Sequence, residues 1–162
     1  MPHQPVIDGF EFASAGAIQE GSWPLSDFPR LRDMLASDAG EIAYRLEGTH
    51  DAHGRPALRI RVEGSLQLSC QRCLEPLAFE VRVEDLVVLA ATLNEIHAEP
   101  ADVHSPDRVV AGREMPVRDL IEDELILAVP YAPRHETCAG PEAHEAQGSS
   151  PFAGLRGLMR RH

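Results

Sequence analysis

Lysine is missing from this 162-residue chain: all fifteen basic residues are arginine. Arginine makes bidentate contacts to carboxylate and phosphate, but a bias toward GC-rich codons has the same effect, so this absence names no partner. Aromatic residues are scarce at 5%, and no obvious base-stacking platform is expected from them. No apolar run approaches the roughly 18 residues of a membrane span. The opening Met1-Pro2-His3-Gln4 has neither the basic nor the apolar region of a secretory signal. A cytoplasmic location without a membrane partner is therefore expected. There is no glycine-rich phosphate loop, nucleophile elbow or zinc-protease helix, and no repeat of 20–50 residues. No small-molecule substrate is evident, and an enzyme is not expected. The net charge of −11 repels nucleic acid as a whole, which excludes a general polyanion binder but leaves room for a local basic patch.

The stretch that organises the chain is Cys70-Gln71-Arg72-Cys73-Leu74-Glu75-Pro76. Before it Leu58, Ile60, Val62, Leu66, Leu68 and Cys70 alternate with polar residues, with Gly64 in the middle. After it Leu77, Phe79, Val81 and Val83 do the same. A period of two describes strands with one buried face, so Pro56–Ser69 and about Leu77–Leu89 read as a long antiparallel hairpin tipped by two thiols. Glu41–Thr49 alternates likewise and adds a third strand, with a turn at residues 50–54. The wet face carries Arg45, Arg59, Arg61 and Arg82 beside Glu47, Glu63, Glu80 and Glu84, and opposite charges on neighbouring strands are expected to pair.

Elsewhere the signals are shorter. Val6, Ile7, Phe10 and Phe12 suggest a short strand, and residues 22–25 a turn. Phe28, Leu31, Met34 and Leu35 have helical spacing, which predicts a helix over 27–36 capped by Ser26 and closed near Gly40. Residues 92–112 are acidic and read as a mobile loop. Pro116 opens a main helix over about 117–128, with Val117, Leu120, Ile121, Leu125 and Ala128 on one side. Asp119, Glu122 and Asp123 face out, and Glu124 lies beside the apolar stripe, partly buried and paired. Residues 138–150 read as flexible. The expected fold is a single α+β domain over 1–162: an antiparallel meander packed against one main helix, with a mobile acidic loop and tail.

Three cysteines cannot close a disulfide framework, and in a reducing compartment they act as free thiols, metal ligands or redox groups. Cys70, Cys73, His135 and Cys138 supply four donors of the kind zinc takes, although the His-x-x-Cys half is unusual. Free thiols on a hairpin tip and a loop that need not meet, and a redox pair Cys70–Cys73, are the competing readings. Asp119, Glu122, Asp123 and Glu124 diverge around a helix and do not form a catalytic carboxylate pair. His50, His53, His97, His104 and His144 lie in turns or loops and read as exposed polar residues. The terminal segment holds Phe152, Leu155, Leu158 and Met159 at helical spacing with Arg156, Arg160 and Arg161. It reads either as an RNA or partner contact or as a helix docked on the domain.

Leu68-Ser-Cys70-Gln-Arg-Cys73-Leu-Glu-Pro76 resembles the knuckle of the bacterial YceD family, named large ribosomal RNA subunit accumulation protein. Ile121-Glu-Asp-Glu-Leu-Ile-Leu-Ala-Val-Pro130, followed by Pro133, His135 and Cys138, is similar to its second signature, and Ser150-Pro-Phe-Ala-Gly-Leu155 to the close of its proteobacterial members. The resemblance spans residues 68–155. It implies a non-enzymatic role in the synthesis, processing or stability of 23S large-subunit ribosomal RNA. The partner implied is precursor RNA or a ribosomal or assembly protein, and the acidic charge pulls toward a basic protein. The competing classes are a metal-dependent RNA-processing enzyme and a thiol redox-sensing module. The family's cysteines carry over onto Cys70, Cys73 and Cys138.

Overall fold

The computed structural model describes residues 5–100 and 102–138. In chain order these form β1 (Val6–Ile7), α1 (Gly9–Ala15), β2 (Ile18–Pro24), 3-10 turns at Leu25–Asp27 and Arg32–Met34, β3 (Leu35–Ser37), β4 (Glu41–His50), β5 (Pro56–Ser69) and β6 (Pro76–Ala90). Then follow α2 (Leu93–His97), β7 (Asp107–Val110), β8 (Met115–Pro116) and α3 (Val117–Ala128). The architecture is mixed α+β, a mostly antiparallel sheet with few helices.

The sheet runs β2-β4-β5-β6-β7, and β3 pairs with β5 beyond the end of β4. β5 and β6 form the long hairpin that the alternation predicts, in register from Ala57↔Val88 to Ser69↔Pro76. Its dry face is buried at Leu58, Ile60, Val62, Leu66 and Leu68, each contributing roughly 1.5–3 kcal/mol by leaving water. α3 adds Val117, Ile121 and Leu125 to the same core. The wet face pairs its charges as expected: Arg61 with Glu84 at 2.9 Å, Arg82 with Glu63 at 3.4 Å and Arg45 with Glu20 at 2.6 Å. Such exposed pairs are worth about 0–1 kcal/mol each.

Several expectations are corrected. Residues 27–36 form no α-helix. Pro29 disfavours the helical conformation at the residue before it, and Phe28 sits at φ −104°, ψ 88°. The segment instead buries Leu25, Phe28 and Leu31 and sends Leu35–Ser37 into the sheet. Phe10 and Phe12 lie on α1 rather than on a strand, because Asp8 caps the Glu11 amide at 3.0 Å and Gly16 closes the helix at φ 58°. Residues 22–24 continue β2, where Trp23 stacks on Tyr44 with ring centroids 4.3 Å apart. The 92–112 stretch is not simply a loop. Thr92 caps α2, and β7 adds parallel to β6.

Glu122 does not face out; it is buried. Its carboxylate accepts the backbone N–H groups of Arg30 at 2.6 Å and Leu31 at 3.1 Å, and the Arg30 Nε at 2.9 Å. These amides have no helix to serve, so α3 supplies their acceptor. Glu124 is buried too, but its charged surroundings are acidic rather than basic. Burial, then Asp85, Asp107 and Asp123, push its carboxyl up to about 7.

Glu122→Ala strands two buried donors and one arm of Arg30. It should lower the unfolding free energy by about 3–5 kcal/mol, whereas Asp123→Asn, at an exposed pair, should cost less than about 1 kcal/mol; urea titration of the two variants measures both. Glu124 folds more favourably as the neutral acid, so the stability it contributes is present at low pH and is lost as pH rises through about 7. Glu124→Gln should therefore raise the melting temperature more at pH 8 than at pH 5; an equal effect at the two pH values would refute the burial account.

Candidate metal centre

β5 ends at Ser69, and the chain reverses before β6 begins at Pro76. The reversal is closed by two backbone bonds, Cys70 N–H to the Glu75 carbonyl at 3.0 Å and Leu74 N–H to the Cys70 carbonyl at 2.9 Å. Leu74 completes the turn in the left-handed region at φ 64°, a conformation costly for a residue with a Cβ. The thiol of Cys70 is fully buried under this turn. The Cys73 amide N–H pulls it down most; burial opposes, and the Arg72 and His135 amides and the Cys138 side chain assist. The result is a thiol lowered to about 5. The Glu75 amide also pulls the Cys73 thiol down, but burial and the sulfurs of Cys70 and Cys138 outweigh it and raise it.

The second half of the site arrives from α3. That helix stops at Ala128 ahead of Pro130, and the outgoing chain is fastened to the knuckle where Gln71 N–H donates to the Pro133 carbonyl at 2.8 Å. Two residues later His135 places its Nδ1 3.4 Å from the Cys73 sulfur and 3.9 Å from that of Cys138. Cys138 Sγ lies 3.5 Å from Cys70 Sγ. The other ring nitrogen, Nε2, sits 3.1 Å from the Pro76 carbonyl. A carbonyl only accepts, so Nε2 carries the proton and the Nδ1 lone pair faces the sulfurs. This is the outer hydrogen bond that commonly orients a metal-binding histidine. Cys138, then Cys70, raise the basicity of that imidazole against the effect of burial.

The four donor atoms all lie within 4.8 Å of one another. Bonds of about 2.3 Å to sulfur and 2.0–2.1 Å to nitrogen in a tetrahedron put neighbouring ligand atoms roughly 3.5–3.8 Å apart. Three of the six separations, at 3.4, 3.5 and 3.9 Å, lie close to that spacing, so the cluster can hold a metal ion. The four residues singled out in the sequence do meet, although free thiols on separate turns would not have needed to. The contact between the sulfurs of Cys70 and Cys138 spans 68 residues of chain. Arg156, Arg160 and Arg161 lie outside the described residues, as does the 139–150 part of the segment expected to be flexible.

Sequence reading missed the carbonyls of Pro76 and Pro133 and the amides of Arg72 and Cys73. These are backbone groups, and their placement leaves no trace in side-chain identity; only the Cys-x-x-Cys spacing hints at the amides.

No solved structure matches this chain. The Haemophilus influenzae protein described as Large ribosomal RNA subunit accumulation protein YceD is 23% identical over 132 residues, which is 82% of this chain and 75% of that protein. The family model with the same description matches residues 58–158, a span that includes the hairpin, α3 and all four donors of the cluster. On that coverage of well over half its length, the chain belongs to the YceD family.

Proposed function

We propose that this protein is a non-enzymatic, cytoplasmic ribosome-biogenesis factor. It supports the synthesis, processing or stability of 23S large-subunit ribosomal RNA, through contact with precursor RNA or with a ribosomal or assembly protein. The observation that carries this reading is the family match over residues 58–158, whose description names large ribosomal RNA subunit accumulation. The non-enzymatic part is supported by the fate of the helix carboxylates. Glu122 is committed to the amides of Arg30 and Leu31, Asp123 to the Arg30 guanidinium, and Glu124 is buried. Two of the three are thus buried and the third is paired. No helix among the described residues is long and apolar enough to cross a membrane.

We further propose that Cys70, Cys73, His135 and Cys138 hold one zinc ion. The donor set of three thiolates and an imidazole is one that structural zinc takes, closed at four ligands with no open position for chemistry. Its task is mechanical: it would pin the chain leaving α3 to the tip of the hairpin, where one backbone hydrogen bond already joins them. Free energy of metal binding then becomes stability of that junction.

Protein purified without a His tag should contain close to one zinc per chain. Chelation, or Cys138→Ser, should remove it and lower the melting temperature by at least about 5 °C; metal-free protein of unchanged stability would refute the zinc assignment. In the native host, depletion should lower mature 23S RNA relative to 16S RNA, with the protein sedimenting beside large-subunit precursors. Unchanged 23S levels would remove the biogenesis reading, and cleavage of precursor RNA by the purified chain would replace it with an enzymatic one.

A further inference from the structure

We infer that the surface around the cysteine knuckle, built from Arg72, Arg134 and Tyr131, is a binding site for single-stranded RNA. The inference rests on the ribosomal reading above for its choice of RNA, and on the following geometry for its location.

The arginines of the sheet are neutralised by carboxylates on adjacent strands: Arg45 by Glu20, Arg59 and Arg61 by Glu84, and Arg82 by Glu63. Arg30, Arg55, Arg108 and Arg118 have acidic partners as well. Arg72 and Arg134 differ. Both are exposed, and among the described residues neither makes an ion pair. Arg72 reaches only the Cys138 carbonyl, at 3.5 Å. Glu75 and Glu136 are exposed on the same two segments but pair with neither guanidinium. Of the other arginines without a carboxylate partner, Arg32 donates to the Ser26 carbonyl and Arg113 sits ahead of β8. Among the described residues, the knuckle is therefore where two arginines without an acidic partner lie on adjoining segments.

The bond from Gln71 N–H to the Pro133 carbonyl sets their spacing. Arg72 and Arg134 each stand one residue from it and Tyr131 two, so the three Cα atoms fall within roughly 4–8 Å of that junction. Tyr131 is fully exposed, at 104% relative accessibility. An aromatic ring left entirely to water offers a face on which an unpaired base can stack, and guanidinium groups carried by neighbouring positions of the same junction suit the phosphates on either side. A basic ribosomal protein gains nothing from these two guanidinium groups and finds its attraction on the acidic remainder of the molecule. The patch thus selects the nucleic acid within the class of partners the family description suggests, and it selects single strands because a duplex keeps its bases stacked.

The test uses the full chain with its metal content measured, and fluorescence anisotropy with a fluorescein-labelled 20-nucleotide RNA of mixed sequence, as a single strand and as a duplex. Wild type should prefer the single strand. Arg72→Ala and Arg134→Ala should each weaken binding about tenfold, and together flatten the dependence of log affinity on log salt by about 1.4, the value for two phosphate contacts on a single strand. Tyr131→Ala should weaken it at least fivefold while Tyr131→Phe, which keeps the ring, should not. Arg82→Ala should leave binding unchanged, and zinc content and melting temperature should be those of wild type in every variant. Variants that bind like wild type overturn the proposal. So does a wild type that binds no RNA while the double variant loses sedimentation with large-subunit precursors; the patch then meets a protein and the ribosomal reading survives. Arginine-dependent RNA binding by a protein that never sediments with ribosomal particles upholds the patch and overturns the ribosomal reading instead.

Discussion

One register governs this molecule. β5 and β6 pair without a break from Ala57↔Val88 to Ser69↔Pro76, so the reversal at residues 70–75 lies at the far end of the longest ladder in the structure. A slip by one residue would turn Leu58, Ile60, Val62, Leu66 and Leu68 into water. The burial of those side chains therefore locks the cysteine turn in position as firmly as it locks the core. α3 packs on the same two strands, and the chain leaving it meets the turn at the bond from Gln71 to Pro133. The donor cluster is the consequence of two elements held on one rigid platform. It is not a local motif that would form by itself.

The same economy explains the charges. A net charge of −11 describes the total and not the distribution. Across the sheet acid and base cancel in pairs, and on α3 a carboxylate that helical periodicity places outside is turned inward. Glu122 replaces the backbone acceptors that the segment at residues 28–34 lacks once Pro29 has interrupted its helix. Glu124 is different: it is buried among acids and raised to about 7, an unfavourable placement for an ionised group that the packing of α3 on β6 enforces. Among the described residues most arginines are committed to these local balances, and the pair at the knuckle without an acidic partner stands out against an acidic whole.

Period-two alternation needs no tertiary information, because it is the geometry of a strand with one dry face. It placed the hairpin, the strand at 41–49 and the Cys-x-x-Cys turn between its arms, and proline with a period of 3.6 placed α3. The failures have equally definite causes. Phe28, Leu31, Met34 and Leu35 carry helical spacing, but a proline in their midst and a remote carboxylate decided the backbone. Phe10 and Phe12 alternate as a strand does, yet the Asp8 cap and Gly16 close a seven-residue helix around them. β7 joins its sheet in parallel, a pairing between distant segments that leaves little local pattern.

For the site, residue type and short spacing named Cys70, Cys73, His135 and Cys138 as a set of possible donors, since three thiols are few enough to be noticed and His135 stands three residues before Cys138. Whether they meet was a question of space. A chain of more than sixty residues separates the two halves, and no spacing rule reaches that far. The folded structure answered it through backbone hydrogen bonds at Gln71, Pro133 and Pro76, whose amides and carbonyls are present in every residue and so are invisible in a list of side chains until the chain is folded.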